Sequence, residues 1–198
     1  MRHGRLFVIE AAGLAALTLA LMLGTWAAAA GAGISSALVR LHVVAVSDSE
    51  AEQAVKLEVR DAVLGYLSPV LADAGSPAEA RELIAGHLEG VADAALTAAG
   101  GRAVHVELGG EYYPTRDYGS FSLPAGRYMS LRVTLGEGRG HNWWCVVFPP
   151  LCLTAAEGAE AASAIGAGGG IIAEDGAGTV FRFRLVELWG ELRAWLGL

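Results

Sequence analysis

Residues able to do chemistry are sparse in this 198-residue chain, and they gather in one stretch. Gly136 to Cys152 reads GEGRGHNWWCVVFPPLC and holds both cysteines, two of the five tryptophans and the Pro149-Pro150 pair. His141, Cys145 and Cys152 are all of types that ligate metals, but their spacing matches no common zinc site. No metal and no cofactor is expected from them. GEGRG has the glycine content of a phosphate loop, yet it joins two strand-like runs and lacks a following helix and a Lys-Ser/Thr. Asp48, Glu50 and Asp61 have acid–base side chains, but helix capping and surface solvation explain each more simply. There is no G-x-S-x-G, no H-E-x-x-H and no cysteine with a motif partner. These residues assign no catalytic site.

What the cysteines can do is close a loop. Left extended at about 3.3 Å per residue, Cys145 and Cys152 would stand roughly 23 Å apart. A disulfide needs their Cα atoms within about 7 Å. The chain must reverse between them, and a Pro-Pro segment between apolar runs makes a plausible corner. The alternative is two buried free thiols. The compartment decides, and the N-terminus bears on it.

Residues 1–35 have the layout of an export signal. Arg2 and Arg5 give a positive start, Ala11 to Leu23 is apolar, and several Ala-x-Ala sites lie within Ala27 to Ala32. Counted from Leu6 to Ala30, the span is also long enough to anchor in a bilayer. Either outcome places the rest of the chain outside the cytoplasm that made it. A buried N-terminal helix is disfavoured because the segment is apolar all round. Export in turn favours one disulfide over two thiols.

Removing that segment leaves about 160 residues, enough for one domain with a real core. Fourteen basic and 21 acidic residues give a formal net charge of −7. A surface of that sign repels phosphate backbones, so no nucleic-acid partner is expected.

The elements that must hold the stretch follow from pattern. Leu38 to Val46 reads as a strand buried on both faces, of the kind found mid-sheet. Ser49 with Glu52 forms a capping box, with Ser47 and Glu50 a second candidate, for a helix from about Glu50 to Ala72. Val55, Val59, Ala62, Val63, Tyr66 and Val70 share one face of it, and Glu52 and Lys56 are expected to pair on the other. Ser76-Pro77-Ala78-Glu79 starts a second helix that should run to Gly100-Gly101. Its apolar face includes His87, read as a core histidine.

Arg102 to Leu108 alternates as a half-exposed strand, and Glu111 to Leu123 reads as an ordered loop with a short strand at its end. Tyr128 to Leu135 alternates again, and WWCVVF is a strand that Pro149 and Pro150 stop. Thr154 to Thr179 is Ala/Gly-rich and reads as a linker. Beyond it, Phe181, Leu185, Leu188, Leu192 and Trp195 form an apolar helical stripe that must bury against its own sheet, a bilayer or a partner helix.

Four segments together resemble one family. They are RLHVVAVSDSEAEQAVKLEVRDAVLGYL at 40–67, YYPTRDYG at 112–119, LPAGRYMSLRVTLGEGRGHNWWCVVFPPLC at 123–152, and the VELW of the tail. In these motifs the chain is similar to the stage II sporulation protein R family. The resemblance implies an endospore-forming bacterium and a signalling role without enzyme activity. Family members are made in the forespore and exported into the space between the septal membranes. There they trigger a membrane-embedded aspartic protease of the mother cell, which removes the pro-sequence of sigma-E. The Ala/Gly-rich linker and the low lysine content depart from the usual family pattern.

An activator needs a stable exported domain and a recognition surface. The candidate surface is the loop Tyr113-Pro114-Thr115-Arg116-Asp117-Tyr118 with Arg139, His141, Asn142 and Trp143, because aromatic and Arg side chains on scaffolded loops carry much binding energy. Trp143 and Trp144 should point to opposite faces. Two rival classes are an exported hydrolase with an unrecognised site and an envelope-binding module. The fold class expected is α+β, with a mainly antiparallel sheet of about four strands, two long helices on one face and a C-terminal amphipathic helix. The expected organisation is 1–35 signal or anchor, 36–153 globular domain, 154–179 linker and 180–198 helix.

Overall fold

The computed structural model describes residues 2–118 and 122–152. The linker and tail helix expected at 154–198 lie outside the described residues. The elements are α1 (Arg2–Ser36), β1 (Val39–Val44), α2 (Glu50–Leu71), α3 (Pro77–Gly86), α4 (Leu88–Ala98), β2 (Val104–Tyr113), β3 (Arg116–Asp117), β4 (Ser122–Leu123), β5 (Gly126–Leu135) and β6 (Asn142–Phe148). The architecture is α+β, with a four-stranded sheet in the order β2-β5-β1-β6 and a separate β3-β4 pair.

The sheet is mixed: two of its three strand pairings are antiparallel and the third is parallel. β1 runs parallel to β5, from Val39 opposite Met129 to Val44 opposite Thr134, and antiparallel to β6. Parallel neighbours need a long crossover. Here α2, α3, α4 and β2 supply it. β1 takes a central place, as its apolar run predicts, and all six of its residues are buried.

The helices pack on one face. Val39, Leu41 and Val43 of β1 meet Val59, Val63, Leu64 and Leu67 of α2, with Ile84, Val91 and Ala95 from α3 and α4. Ser49 caps α2 by accepting from Glu52 N, and Ser76 caps α3 with Pro77 at its start. Both helix starts were legible. The second long helix was not: it is two helices broken at His87. His87 Nδ1 bonds the Leu83 carbonyl at 2.8 Å, giving that group a side-chain partner where the helix changes course. Past the break, Gly90 lies under Tyr66, whose hydroxyl would be 2.0 Å from any Cβ there.

The expected Glu52–Lys56 pair does not form. Glu52 reaches across to Arg102, which donates to it from Nε at 2.6 Å and from Nη2 at 2.8 Å. Lys56 turns inward instead, donating to Gln53 Oε1 at 2.5 Å and to the His141 carbonyl at 3.2 Å. Burial holds its ammonium below the usual lysine range.

Helix α1 is of another kind. Glu10–Ser36 covers 27 residues, the one helix among the described residues long and apolar enough to cross a membrane. At 1.5 Å per residue it spans about 40 Å, against about 30 Å for a hydrocarbon core. Leu14, Leu17, Leu19, Leu21, Met22 and Trp26 are all exposed on it. Its last turn is not: Ile34 is buried with Leu38, Tyr113 and Tyr128 on the sheet face opposite the other helices.

Candidate recognition surface

Cys145 and Cys152 are bonded, with Cα atoms 5.6 Å apart across the Pro149-Pro150 corner. The corner borders an apolar cleft of roughly 250 Å³ between β6 and the end of α2, lined by Leu67, Leu71, Phe148, Pro150 and Cys152 among others.

The GEGRG loop is a folded clasp. Gly136 and Gly138 take positive φ, at 55° and 61°. Gly140 lies so close to the β1–α2 turn that a Cβ would fall 2.3 Å from the Ser47 carbonyl oxygen. Gly140 N donates to Ala45 O at 2.9 Å, and His141 N donates to Asp48 Oδ1 at 2.6 Å. Asp48, which sequence reasoning gave to capping, therefore clasps this loop, and its carboxylate also lies 2.7 Å from His141 Nδ1. The glycines serve loop closure, which answers the question raised by their likeness to a phosphate loop.

The two halves of the expected surface lie at opposite ends of the sheet. Tyr113 pairs with Gly126 at the start of β5, while Arg139 and His141 follow its end at Leu135. Ten strand residues separate these ends, roughly 30 Å. Arg139, His141 and Asn142 are exposed. Trp143 packs half-buried on the helix side under the Arg60 guanidinium, 4.4 Å from its ring centre. Trp144 packs on the opposite side, as alternation requires, with Arg116 stacked 3.7 Å over its ring. Tyr113 is not on the surface at all: it is 1% exposed, because its ring closes the second core. Tyr118 is half-buried and accepts a hydrogen bond from Arg40 Nη2. Asp117 joins the ladder to Ser122; its side chain lies outside the described residues.

Sequence reasoning missed the polar residues beneath this face. Arg40 and His42 alternate along β1 with Leu41 between them, so both point away from the helices. Two titratable side chains in a strand buried on both faces were the signal available, since such groups are buried only with partners. Arg40 is fully buried, its guanidinium 3.9 Å from the ring centre of Tyr113, 4.9 Å from Tyr128 and 5.9 Å from Tyr118. Among the described residues its Nε and Nη1 have no hydrogen-bond partner. Burial pushes the Tyr113, Tyr118 and Tyr128 phenols upward, keeping them neutral beside it.

A hydrogen-bonded relay runs alongside. His42 Nδ1 donates to Glu111 Oε1 at 2.8 Å, and Ser130 Oγ donates to Glu111 Oε2 at 2.8 Å. The Tyr113 hydroxyl, 2.7 Å from Ser130 Oγ, must then be the donor of that pair. A serine, a histidine and a carboxylate are thus assembled, but in an order that does not activate the serine. Both Ser130 and His42 spend their hydrogens on Glu111, and Ser130 is 1% exposed. The relay is a buried polar tie between β1, β2 and β5.

Taken together, these features define an α+β domain with a tyrosine-walled polar face, set directly behind a helix of membrane-spanning length. The family described as stage II sporulation protein R matches residues 35–158, and the chain belongs to that family. It is a sporulation protein by that membership. It is similar to the stage II sporulation protein R of Bacillus subtilis (strain 168), 38% identical over 118 residues that make up 58% of this chain and 53% of the relative. The chain thus spans about half the length of that curated relative. No solved structure matches it.

Proposed function

We propose that this protein is exported from the forespore into the intermembrane space, where it activates the membrane-embedded aspartic protease that processes pro-sigma-E in the mother cell. The observation that carries the reading is the family match over residues 35–158, which coincides with the disulfide-closed domain directly behind the apolar helix. In this reading the chain has no reaction of its own and acts by being bound. The helix α1 serves as export signal or anchor, and the stacked Arg116–Trp144 pair and the clasped Arg139–His141 loop are its two candidate contact points. Aromatic and Arg side chains presented on rigid supports suit that task.

The test adds the purified, oxidised protein to membranes containing the protease and its precursor substrate. Precursor cleavage that depends on the added protein supports the reading. Cleavage unchanged by it, or turnover of a substrate by the protein alone, refutes it. Arg116→Ala and Arg139→Ala, each secreted at normal level, then divide the two contact points by which one slows cleavage.

A further inference from the structure

Helix α1 and the domain are joined without a hinge. Ile34 in the last turn of α1 is buried against Leu38, Tyr113 and Tyr128. The Ser36 carbonyl accepts from Arg81 Nη2 at 2.8 Å, and Ala37 N donates to Ile34 O at 3.1 Å. Only Ala37 and Leu38 separate α1 from β1, and Leu38 is fully buried. A bilayer that holds α1 therefore also sets the height of the sheet above it. That height follows from charge. Glu10 is the last charged residue before Arg40, and a carboxylate is expensive inside hydrocarbon. With Glu10 at one boundary, a core of about 30 Å takes about 20 residues, Ala11 to Ala30. Ile34 lies about 6 Å further on. The headgroup layer is about 5–7 Å deep on each side. The end of the domain that receives Ile34 is thereby set against it.

Register says what stands at that end. Val39, at the start of β1, lies opposite Met129 and Phe148, so the end of β2 and the start of β5 share it. Tyr112 and Arg127 face each other there as a cross-strand pair. Tyr112 is 64% exposed, the most exposed large hydrophobic residue outside α1 among the described residues. Of the arginines from Arg40 to Arg139, Arg127 alone makes no hydrogen bond, ion pair or ring contact among the described residues. Its guanidinium lies over Gly110, at the surface. An exposed tyrosine settles among headgroups, and an unengaged guanidinium binds phosphate. Net charge does not draw this end to a membrane, because the end of α2 lies beside Phe148 and brings Asp73 with it. Helix α1 delivers it instead. The ligand is therefore the phosphate that zwitterionic and anionic phospholipids share.

We propose that Tyr112 and Arg127 rest on the phosphate layer of the bilayer that α1 spans, and so hold the Arg139–His141 loop, at the other end of the sheet, away from that bilayer. The inference rests on the anchor alternative of the reading above, and it names what orients the domain. The test places the full, oxidised chain in nanodiscs of phosphatidylcholine that carry a nitroxide on the headgroup. A fluorophore is attached at Pro114→Cys, an exposed position beside Tyr112, or at Arg139→Cys. Emission is lost at position 114 and kept at position 139, roughly 30 Å away. Phosphatidylglycerol nanodiscs give the same pattern. Arg127→Glu and Tyr112→Ser, both at exposed positions, each restore emission at 114. Equal loss at both positions, no loss at 114, loss at 114 that both substitutions leave unchanged, or loss confined to phosphatidylglycerol overturns the proposal. So does an exported chain whose intact mass shows it cut within Ala27 to Ala32. None of these readouts involves the protease. A chain seated on the bilayer that fails to drive precursor cleavage refutes only the signalling role, and one that drives cleavage without α1 refutes only the seat.

Discussion

The Arg40 guanidinium lies 3.9 Å from the centre of the Tyr113 ring, on β1, fully buried and with Nε and Nη1 unpaired among the described residues. The charge is held by ring faces and one phenol, since the ion pairs among the described residues do not include it. Arg40→Ala empties the space beneath three tyrosines and should destabilise by about 3 kcal/mol. Arg40→Met keeps most of the volume and removes the buried charge, so it should lose less than half of that. Urea unfolding of both variants checks the order.

The Glu52–Arg102 pair makes stability depend on acid. The hydrogen bonds from Arg102, and its charge, hold the Glu52 carboxyl below the usual range. The unfolded chain then binds the proton more readily than the folded one, so the pair stabilises above the ordinary glutamate range and is lost as pH falls through the folded value. Glu52→Gln should be less stable than wild type at pH 7, and the gap should close in acid. Thermal unfolding across pH measures it.

Alkali should act through the tyrosines in the opposite direction. Burial raises Tyr113, Tyr118 and Tyr128. Above about pH 10 the unfolded chain loses phenolic protons that the folded chain retains, and stability falls. Tyrosinate absorbance should rise only in part until the protein unfolds, then rise abruptly. A smooth titration of all five tyrosines in the folded protein would contradict the caged geometry.

The disulfide closes a short loop at the corner of β6. Replacing Cys145 and Cys152 by Ala should lower stability by about 2–3 kcal/mol, by restoring freedom to the unfolded chain. Differential unfolding of the oxidised protein and the double variant gives the figure.

The clasp at Gly140 allows no side chain. Gly140→Ala places a Cβ 2.3 Å from the Ser47 carbonyl oxygen, backbone against backbone. It should cost about 2 kcal/mol or more and loosen the bond from His141 N to Asp48. Gly65→Ala, with open space around it, should be neutral or mildly stabilising. Parallel denaturation curves compare the two.

Local signals were legible wherever local physics decides. Ser49 and Ser76 mark their helix starts because a cap is satisfied within four residues. Trp143 and Trp144 part to opposite faces because a strand has a period of two. Lys56 was misplaced because spacing alone put it beside Glu52, whereas a carbonyl 85 positions away draws it inward. The break at His87 lies beside a Tyr66 ring packed on Gly90, a contact that no window around His87 contains. The parallel pairing of β1 with β5 was hidden because register is set by distant strands. Arg40 and His42 were visible as anomalies in an apolar run, but their partners Tyr113 and Glu111 lay in a stretch read as loop. The start of that stretch, Glu111 to Tyr113, continues β2. Its turn-forming residues concealed a ladder that β5 imposes.

Strand β1 follows α1 almost at once, yet its neighbours β5 and β6 come last among the strands of the described residues. A polypeptide threaded through a narrow channel with its apolar helix leading would present β1 first and have nothing to zip it to. The sheet can close only after Phe148 has emerged. If the chain is exported as proposed, delivery and assembly would be kept in sequence: the polypeptide would stay loose enough to pass while travelling, and become a finished shape only on the far side.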